Sequence, residues 1–392
     1  MRSAIKSWAV LLWVTMSLCV PALAGCTIIT GPTTRNDTLN AVSCLSANSC
    51  VAVGSEATVT GQTETVAPAA MRWDGSPWHA LAVRLPSGAV QGGLSSVSCK
   101  PGGCLAVGSY SPAQPGSFAL AEYWNDSTWT PVSLAFPPGP QLPSLRAVSC
   151  VTVSQCVATG NYEKLGSAAS ALAATWDGHE WSWSQPPVRA GVEGSSHYLP
   201  SVSCVTSKYC VAIGNAYDAR TSTTVGFTEI WNGHGWTQAY APAAGEAGSA
   251  AGLSCAAASY CVAVGTQFAG VPAGFGQLLD GTRWTEPAMP WPRGTRSYLH
   301  GVSCAGKTCL AVGEAEPSQV ANGTATHPAA LTWNGATWTR QATPRGTIGT
   351  LYGVTCVTSA DCVAVGSARG GNGTRTLSEF WNGTAWTIVS PT

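Results

Sequence analysis

Short runs in which apolar and polar residues alternate recur along the whole chain, and they recur in a fixed order. The first copy opens with Leu39, continues through a β-branched stretch to Cys44, resumes at Cys50 with Val51, Ala52, Val53 and Gly54, and ends on Trp73, Asp74, Gly75 and Trp78. The same phrase returns seven times, with leading cysteines 49 to 55 residues apart. Alternation with a period of two marks half-buried strands, and no segment sustains a helical period. The 44 glycines and 25 prolines interrupt the connections throughout, which further favours short strands and turns. A repeat of this length cannot bury its own apolar face and must stack on neighbouring copies.

Each copy reads as four strands. The Val-Ser-Cys and Cys-Val-Ala-Val runs, separated by a short polar turn, form a hairpin. A third strand, such as Ala119 to Trp124, ends at a turn that suits a tight hairpin, an Asn-Gly or Asp-Gly step in the other six copies and Asn125-Asp126 in this one, and the fourth strand follows at once. In a two-residue hairpin Trp381 and Trp386 would lie on one face as diagonal neighbours, sealing one copy against the next. Trp124/Trp129, Trp176/Trp181, Trp231/Trp236 and Trp333/Trp338 repeat the pair, while the fifth copy has Leu279 with Trp284. These features predict an all-β fold, a seven-bladed β-propeller of four-stranded antiparallel blades. The order of strand, glycine-ended strand and aromatic hairpin resembles kelch-type propellers over about residues 39–392. The double glycine of that family is replaced here by a Val-Gly step, and the cysteine pair is an addition. Asp177, Gly178 and Trp181 resemble the Asp-box of sialidase-type propellers less closely, because the spacing is one residue shorter. The sequence divides into a signal peptide at 1–25, a linker at 26–38 and the propeller at 39–392. Thr27 to Thr30 could add a strand to the last blade and close the ring.

The amino terminus carries Arg2 and Lys6, then an apolar run from Trp8 to Val20, the pattern of an export signal. Leu23, Ala24, Gly25 and Cys26 follow and resemble a bacterial lipobox. That resemblance implies cleavage before Cys26, lipid on its sulfur, and a membrane-anchored lipoprotein on the outer side of the cytoplasmic membrane, extracellular or periplasmic. Of the 16 cysteines, removing Cys19 with the signal and Cys26 with the lipid leaves 14, or seven pairs. The pairs are Cys44 with Cys50, Cys99 with Cys104, Cys150 with Cys156, Cys204 with Cys210, Cys255 with Cys261, Cys304 with Cys309 and Cys356 with Cys362. Regular, even spacing in an exported chain reads as a disulfide framework, each bridge contributing about 2 to 2.5 kcal/mol in the chain-entropy account. Zinc would require tighter Cys/His clusters, so no metal and no cofactor is expected. Nineteen basic and 19 acidic residues balance, leaving no basic stripe for nucleic acid.

In a four-stranded meander the cysteine turn and the Asn/Asp-Gly turn share one end, and the long, variable connections share the other. Variable loops on a rigid scaffold are where binding resides, so the long-loop face is the expected working surface. The residue after the opening leucine (alanine in the fifth copy) differs in every copy: Asn40, Ser95, Arg146, Pro200, Ala251, His300 and Tyr352. If the first strand is innermost, these residues ring the channel mouth, with Tyr198 and Tyr298 beside them. Asn40, Arg146, Tyr198, Tyr298, His300 and Tyr352 are therefore the candidate ligand-binding residues, suited to a polar or carbohydrate-like ligand. Glu122, Glu229 and Glu379 occupy equivalent places in three copies and read as edge groups, hydrogen-bonded or solvated, rather than as a glycosidase pair. Two functions compete: a non-catalytic module binding a protein or cell-envelope glycan, and an extracellular glycan-acting hydrolase or lyase of the sialidase-like kind. The second requires Arg146, Arg283, Arg296 and Tyr298 to gather with carboxylates over one pocket.

Overall fold

A computed structural model describes residues 33–389, apart from 76, 114–115, 135–140, 165–166, 188–195, 219–221, 240–247, 282 and 317–324. The signal segment and Cys26 lie outside the described residues. What is described is a β-propeller: strands without a helix, organised in repeated four-stranded antiparallel sheets. Five sheets are separate, and the strands at the two ends of the chain merge into one eight-stranded sheet.

One unit illustrates the rest. The innermost strand Ser196–Thr206 pairs with Tyr209–Asp218, that strand with Thr223–Trp231, and that with the short outer strand Trp236–Ala239. The cysteines of each hairpin are direct cross-strand partners, as in Cys204 opposite Cys210. All seven bridges expected from the sequence are formed, with Cα atoms 3.9–4.1 Å apart. Such closeness is characteristic of the non-hydrogen-bonded pairs of an antiparallel ladder.

The bridges lie deeper than surface staples across a polar turn would. The second cysteine of every pair (Cys50, Cys104, Cys156, Cys210, Cys261, Cys309 and Cys362) is buried. Cys156 packs in a cluster with Leu145 and Trp181, Cys309 with Leu299 and Trp338, and Cys362 with Leu351 and Trp386. The turn itself is exposed, but strand alternation turns these sulfurs toward the neighbouring unit. Each bridge therefore fills core space as well as closing a loop.

The tryptophan hairpin differs from the sequence expectation. Trp176 and Trp181 are directly opposite each other, as are Trp381 and Trp386, not diagonal. The reason is a longer connection than a two-residue turn. The Asp177 side chain accepts hydrogen bonds from the amides of His179 and Glu180, and Gly178 takes a φ of 98°, so four residues fit between the partners. The rings lie tilted at 5.4–5.6 Å between centroids in five copies.

Apolar clusters form between units rather than within them. Trp129 packs in a cluster with Ala70 of the preceding unit, Trp181 with Ala121, Trp236 with Ala173 and Trp386 with Ala330. At the same position Gly276 lies against Trp338, and Ser378 accepts a 2.9 Å hydrogen bond from the Trp78 indole. A small residue is therefore needed three places before the first aromatic position, because the next unit's tryptophan occupies that space. Close packing leaves little room for anything larger.

The serine of the Val-Ser-Cys run has a second task. The hydroxyl of Ser43 accepts from the amide of Cys99, Ser98 from Cys150, Ser149 from Cys204, Ser203 from Cys255, Ser254 from Cys304 and Ser303 from Cys356, all at 2.9–3.0 Å. Successive innermost strands are stitched this way. The ends of the chain close differently. Arg35 and Asn36 pair in parallel with Gly373 and Thr374, and Asn36 Oδ1 accepts from the Thr374 amide at 3.1 Å. Gly353 lies so close to the first innermost strand that a Cβ there would meet Ala41 Cα at 2.8 Å. Thr27 to Thr30, expected to supply the closing strand, lie outside the described residues. The first strand itself starts at Thr33, inside the segment read as linker, because Thr33 to Thr38 find partners in Thr60 to Ser55.

Candidate functional site

Every innermost strand carries an irregularity at the same place. In the first unit the register passes from Leu39 opposite Gly54 to Ala41 opposite Val53, so Asn40 has no partner. The same single-residue bulge leaves Ser95, Arg146, Ala251, His300 and Tyr352 unpaired, and in the fourth unit the interruption spans Leu199 and Pro200. A bulge bends its strand and re-aims the extra side chain. Here it also explains the glycine of the Val-Gly step, which does not end its strand as the sequence suggested but lies inside it opposite the opening leucine, as Gly54 does within Ser49–Thr60. A Cβ on Gly54, Gly108, Gly160, Gly313 or Gly366 would lie 1.9–2.0 Å from the backbone oxygen of the residue before the opening leucine. Only glycine lets the bulged backbone approach so closely. The recurring Val-Gly step was visible in the sequence, but its purpose was not.

The seven re-aimed residues meet at one cavity of about 270 Å³, together with the small residue and the apolar residue that follow each of them. The first strand is thus innermost in every unit, and the ring inferred from the sequence is physically contiguous. Tyr198 and Tyr298, one place before the opening leucine, do not line it. Tyr198 instead lies beneath Arg146, whose guanidinium carbon is 5.8 Å from its ring centroid. Tyr298 is paired with Glu314 on the neighbouring strand. The bridged cysteines stand apart from the site as well. Cys156, Cys309 and Cys362, like the rest, contribute nothing to the lining and act through the packing between units.

Two chemically distinct sectors share the lining. One is Arg146, the single cationic side chain of lysine or arginine type among the described residues of the lining, which include no carboxylate. Its Nε donates to the buried Asn161 Oδ1 at 3.1 Å. The other is His300, whose ring lies 5.4 Å from that of Tyr352 and whose Nε2 is 3.9 Å from Glu314 Oε1, an ion-pair distance rather than a hydrogen bond. Thr350 donates a short hydrogen bond to the other Glu314 oxygen. Burial pushes the Glu314 carboxyl up, but the side chains of His300 and Thr350 outweigh it and hold the group below its usual range. Asn40 uses its amide to donate to the Leu94 carbonyl at 2.8 Å, tying the first unit's mouth to the second.

The constellation required for a sialidase-like hydrolase does not assemble. Arg283 lies on the outer strand opposite Asp280, near the hairpin turn, and Arg296 begins an innermost strand opposite Glu316. Neither lines the cavity that Arg146 enters. The three repeated glutamates are also not edge groups. Glu122, Glu229 and Glu379 are fully buried, and none of their carboxylate oxygens has a hydrogen-bond partner among the described residues. Strand alternation places Glu122 on the face of Leu120 and Trp124, Glu229 on that of Phe227 and Trp231, and Glu379 on that of Leu377 and Trp381. All three therefore point into the packed junction with the preceding unit. Burial alone raises Glu122 and Glu229 to about 8 and Glu379 to about 7. They lie on third strands, two strands out from the innermost ones, and none of them lines the cavity. Among the described residues no group of His, Cys, Asp and Glu could hold a metal ion, and no helix is long and apolar enough to cross a membrane.

No protein-family model matches the chain, and no curated protein matches it. Solved structures similar to it include YCF48 from Cyanidioschyzon merolae, 14% identical over 81% of this chain and 90% of that one, with a TM-score of 0.46. A fucose-specific lectin from Aleuria aurantia is 12% identical over 76% and 94%, with a TM-score of 0.42. An alpha-L-arabinanase from Penicillium chrysogenum is 12% identical over 73% and 92%, with a TM-score of 0.43. Likenesses this distant assign neither ligand nor activity.

Proposed function

We propose that the chain is an exported, lipid-anchored binding protein that holds a protein or glycan ligand at the centre of a seven-bladed, kelch-like propeller without transforming it. The blade count treats the eight-stranded sheet as two units that touch through Arg35, Asn36, Gly373 and Thr374. The observation that carries the reading is the convergence of one freely varying side chain from every unit on a single cavity whose lining, among the described residues, includes no aspartate or glutamate. A fixed bulge and a fixed glycine present those side chains, so their identities vary without cost to the scaffold. Polar tips on a rigid concave frame are the anatomy of a small-ligand site. Seven disulfides suit an oxidising compartment outside the cytoplasm, and the anchor at Cys26 rests on the lipobox resemblance.

Binding of the purified chain to an array of cell-envelope glycans and peptides tests the reading. A bound class lost on His300→Ala, with unfolding temperature unchanged, supports it. A ligand retained by both His300→Ala and Arg146→Ala would place binding elsewhere. Turnover of a glycan by the wild-type protein would replace the reading with the hydrolase alternative. The anchor is tested separately by mass spectrometry of the mature amino terminus, where an unmodified Cys26 would remove it.

A further inference from the structure

Resting on that reading of the channel as a binding site, we infer that its ligand is held through a carboxylate, as in a uronic-acid unit of a glycan. Arg146 is a positioned cation without a counter-ion among the described residues. Its Nε is committed to Asn161 and its guanidinium carbon lies 5.8 Å from the Tyr198 ring centroid, within cation–π range, which orients the group while leaving its terminal nitrogens free of any acidic partner among the described residues. Asn161 is itself buried, so the anchor does not drift with solvent. A planar fork held in one orientation matches the two oxygens of a carboxylate. One positive charge in the lining matches one negative charge on the ligand.

Glu314, the acidic group beside His300 behind the lining, does not compensate Arg146. It belongs to another unit and is occupied by Thr350 and His300. The remainder of the lining specifies what carries the carboxylate. Hydroxyls of Ser95, Ser96 and Ser201 stand around the ring, and the paired His300 and Tyr352 rings supply an aromatic wall. Ser96 already accepts from the Val148 amide, so its hydroxyl hydrogen remains to be donated. Polar groups spread around a concavity suit a ring that carries hydroxyls on all sides, whereas a peptide terminus presents its polar atoms at one end. The volume of about 270 Å³ is below the roughly 300–1,000 Å³ of drug-sized sites, so a single sugar ring fills it.

Isothermal titration of the full mature chain with methyl glucuronide, methyl glucoside and glucose 6-phosphate tests the inference. The glucuronide is expected to bind at least tenfold more tightly than the glucoside. Arg146→Gln should abolish that preference, and Arg146→Lys, which keeps the charge but not the fork, should weaken it at least fivefold. Equal binding of glucuronide and glucoside would overturn the carboxylate while leaving a glycan site intact. Tighter binding of the phosphate would overturn it in favour of a phosphorylated sugar. No binding of any of the three, with peptides bound instead in the array experiment, would remove the glycan altogether. Arg146 is exposed and packs into no apolar cluster, so the variants should retain the wild-type unfolding temperature, and an unchanged preference in Arg146→Gln would place the anion site elsewhere.

Discussion

The buried glutamates make the ring sensitive to pH in a direction that can be worked out. Glu122, Glu229 and Glu379 have folded-state values of about 8, 8 and 7 because burial disfavours the charged form. In the unfolded chain a glutamate titrates near about 4.3. Below that value both states are protonated and stability is complete. As pH rises, the unfolded chain loses its protons first, so stability falls through the window from about 4.3 to 8 and levels off above it. One pH unit corresponds to about 1.4 kcal/mol per site. Taken over the whole window that would be about 4–5 kcal/mol for Glu122. The interior around a new charge responds with an effective dielectric constant well above that of a dry medium, which lowers such figures and brings the expectation to about 2 kcal/mol each.

Replacing all three by glutamine keeps shape and removes the titration. The protein already contains the control, since Gln277 occupies the equivalent position of the fifth unit, buried and donating to Glu286 at 3.0 Å. Three sites amount to about 6 kcal/mol, which for a ring of roughly 350 residues is a shift in Tm of about 8 °C at typical unfolding entropies. Differential scanning calorimetry between pH 5 and 8.5 should show a falling Tm for the wild type and a flatter profile for Glu122→Gln, Glu229→Gln, Glu379→Gln combined. Surface carboxylates and histidines titrate alike in both proteins and cancel in the difference. Parallel profiles for the two proteins would refute the reasoning, as would a wild-type Tm that does not fall across this range.

Two further outcomes concern the scaffold. Removing one bridge by Cys255→Ala with Cys261→Ala should cost about 2 kcal/mol, seen as a lower urea midpoint; an unchanged midpoint would show that the short loop needs no staple. Gly313→Ala sets a methyl 1.9 Å from the Tyr298 carbonyl oxygen, so it should cost more than about 3 kcal/mol and displace His300. A variant with wild-type stability and ligand binding would show that the bulge does not depend on this glycine.

The units, the disulfides and the ring of mouth residues were legible because each rests on local chemistry repeated in register. Cysteines five or six places apart across a polar turn have few alternatives to pairing with each other. Three matters were not legible. The tryptophan register depended on Asp177 and its counterparts capping a four-residue turn through their side chains, and the Asn/Asp-Gly dipeptide alone suggests a tighter one. The depth of Cys156, Cys309 and Cys362 followed from the neighbouring unit's packing, which the polar turn beside them does not announce. The glutamates were misread because a charged residue two places before a tryptophan usually marks a solvated edge. Here it lies on the face that meets the preceding unit, and only the packing of neighbouring units reveals that burial.

The recurring glycine and the variable residue beside it are two halves of one device. A strand without the bulge would direct Asn40 and its counterparts along the pleat, alternating between the faces of the sheet as in any strand. The bulge re-aims them into the channel, and the glycine opposite makes the bulge sterically possible. The demands of the scaffold therefore fall on Leu39 and Gly54 and their equivalents, whereas the residue between the paired positions is left to the proposed recognition. Two sites so close in sequence and so separate in physical role let the ring exchange Asn for Arg, His or Tyr without disturbing the packing beneath. That separation explains why the position of the mouth residues can be read from the repeat, while the carboxylate proposed for a ligand rests on the one copy in which the bulge presents Arg146.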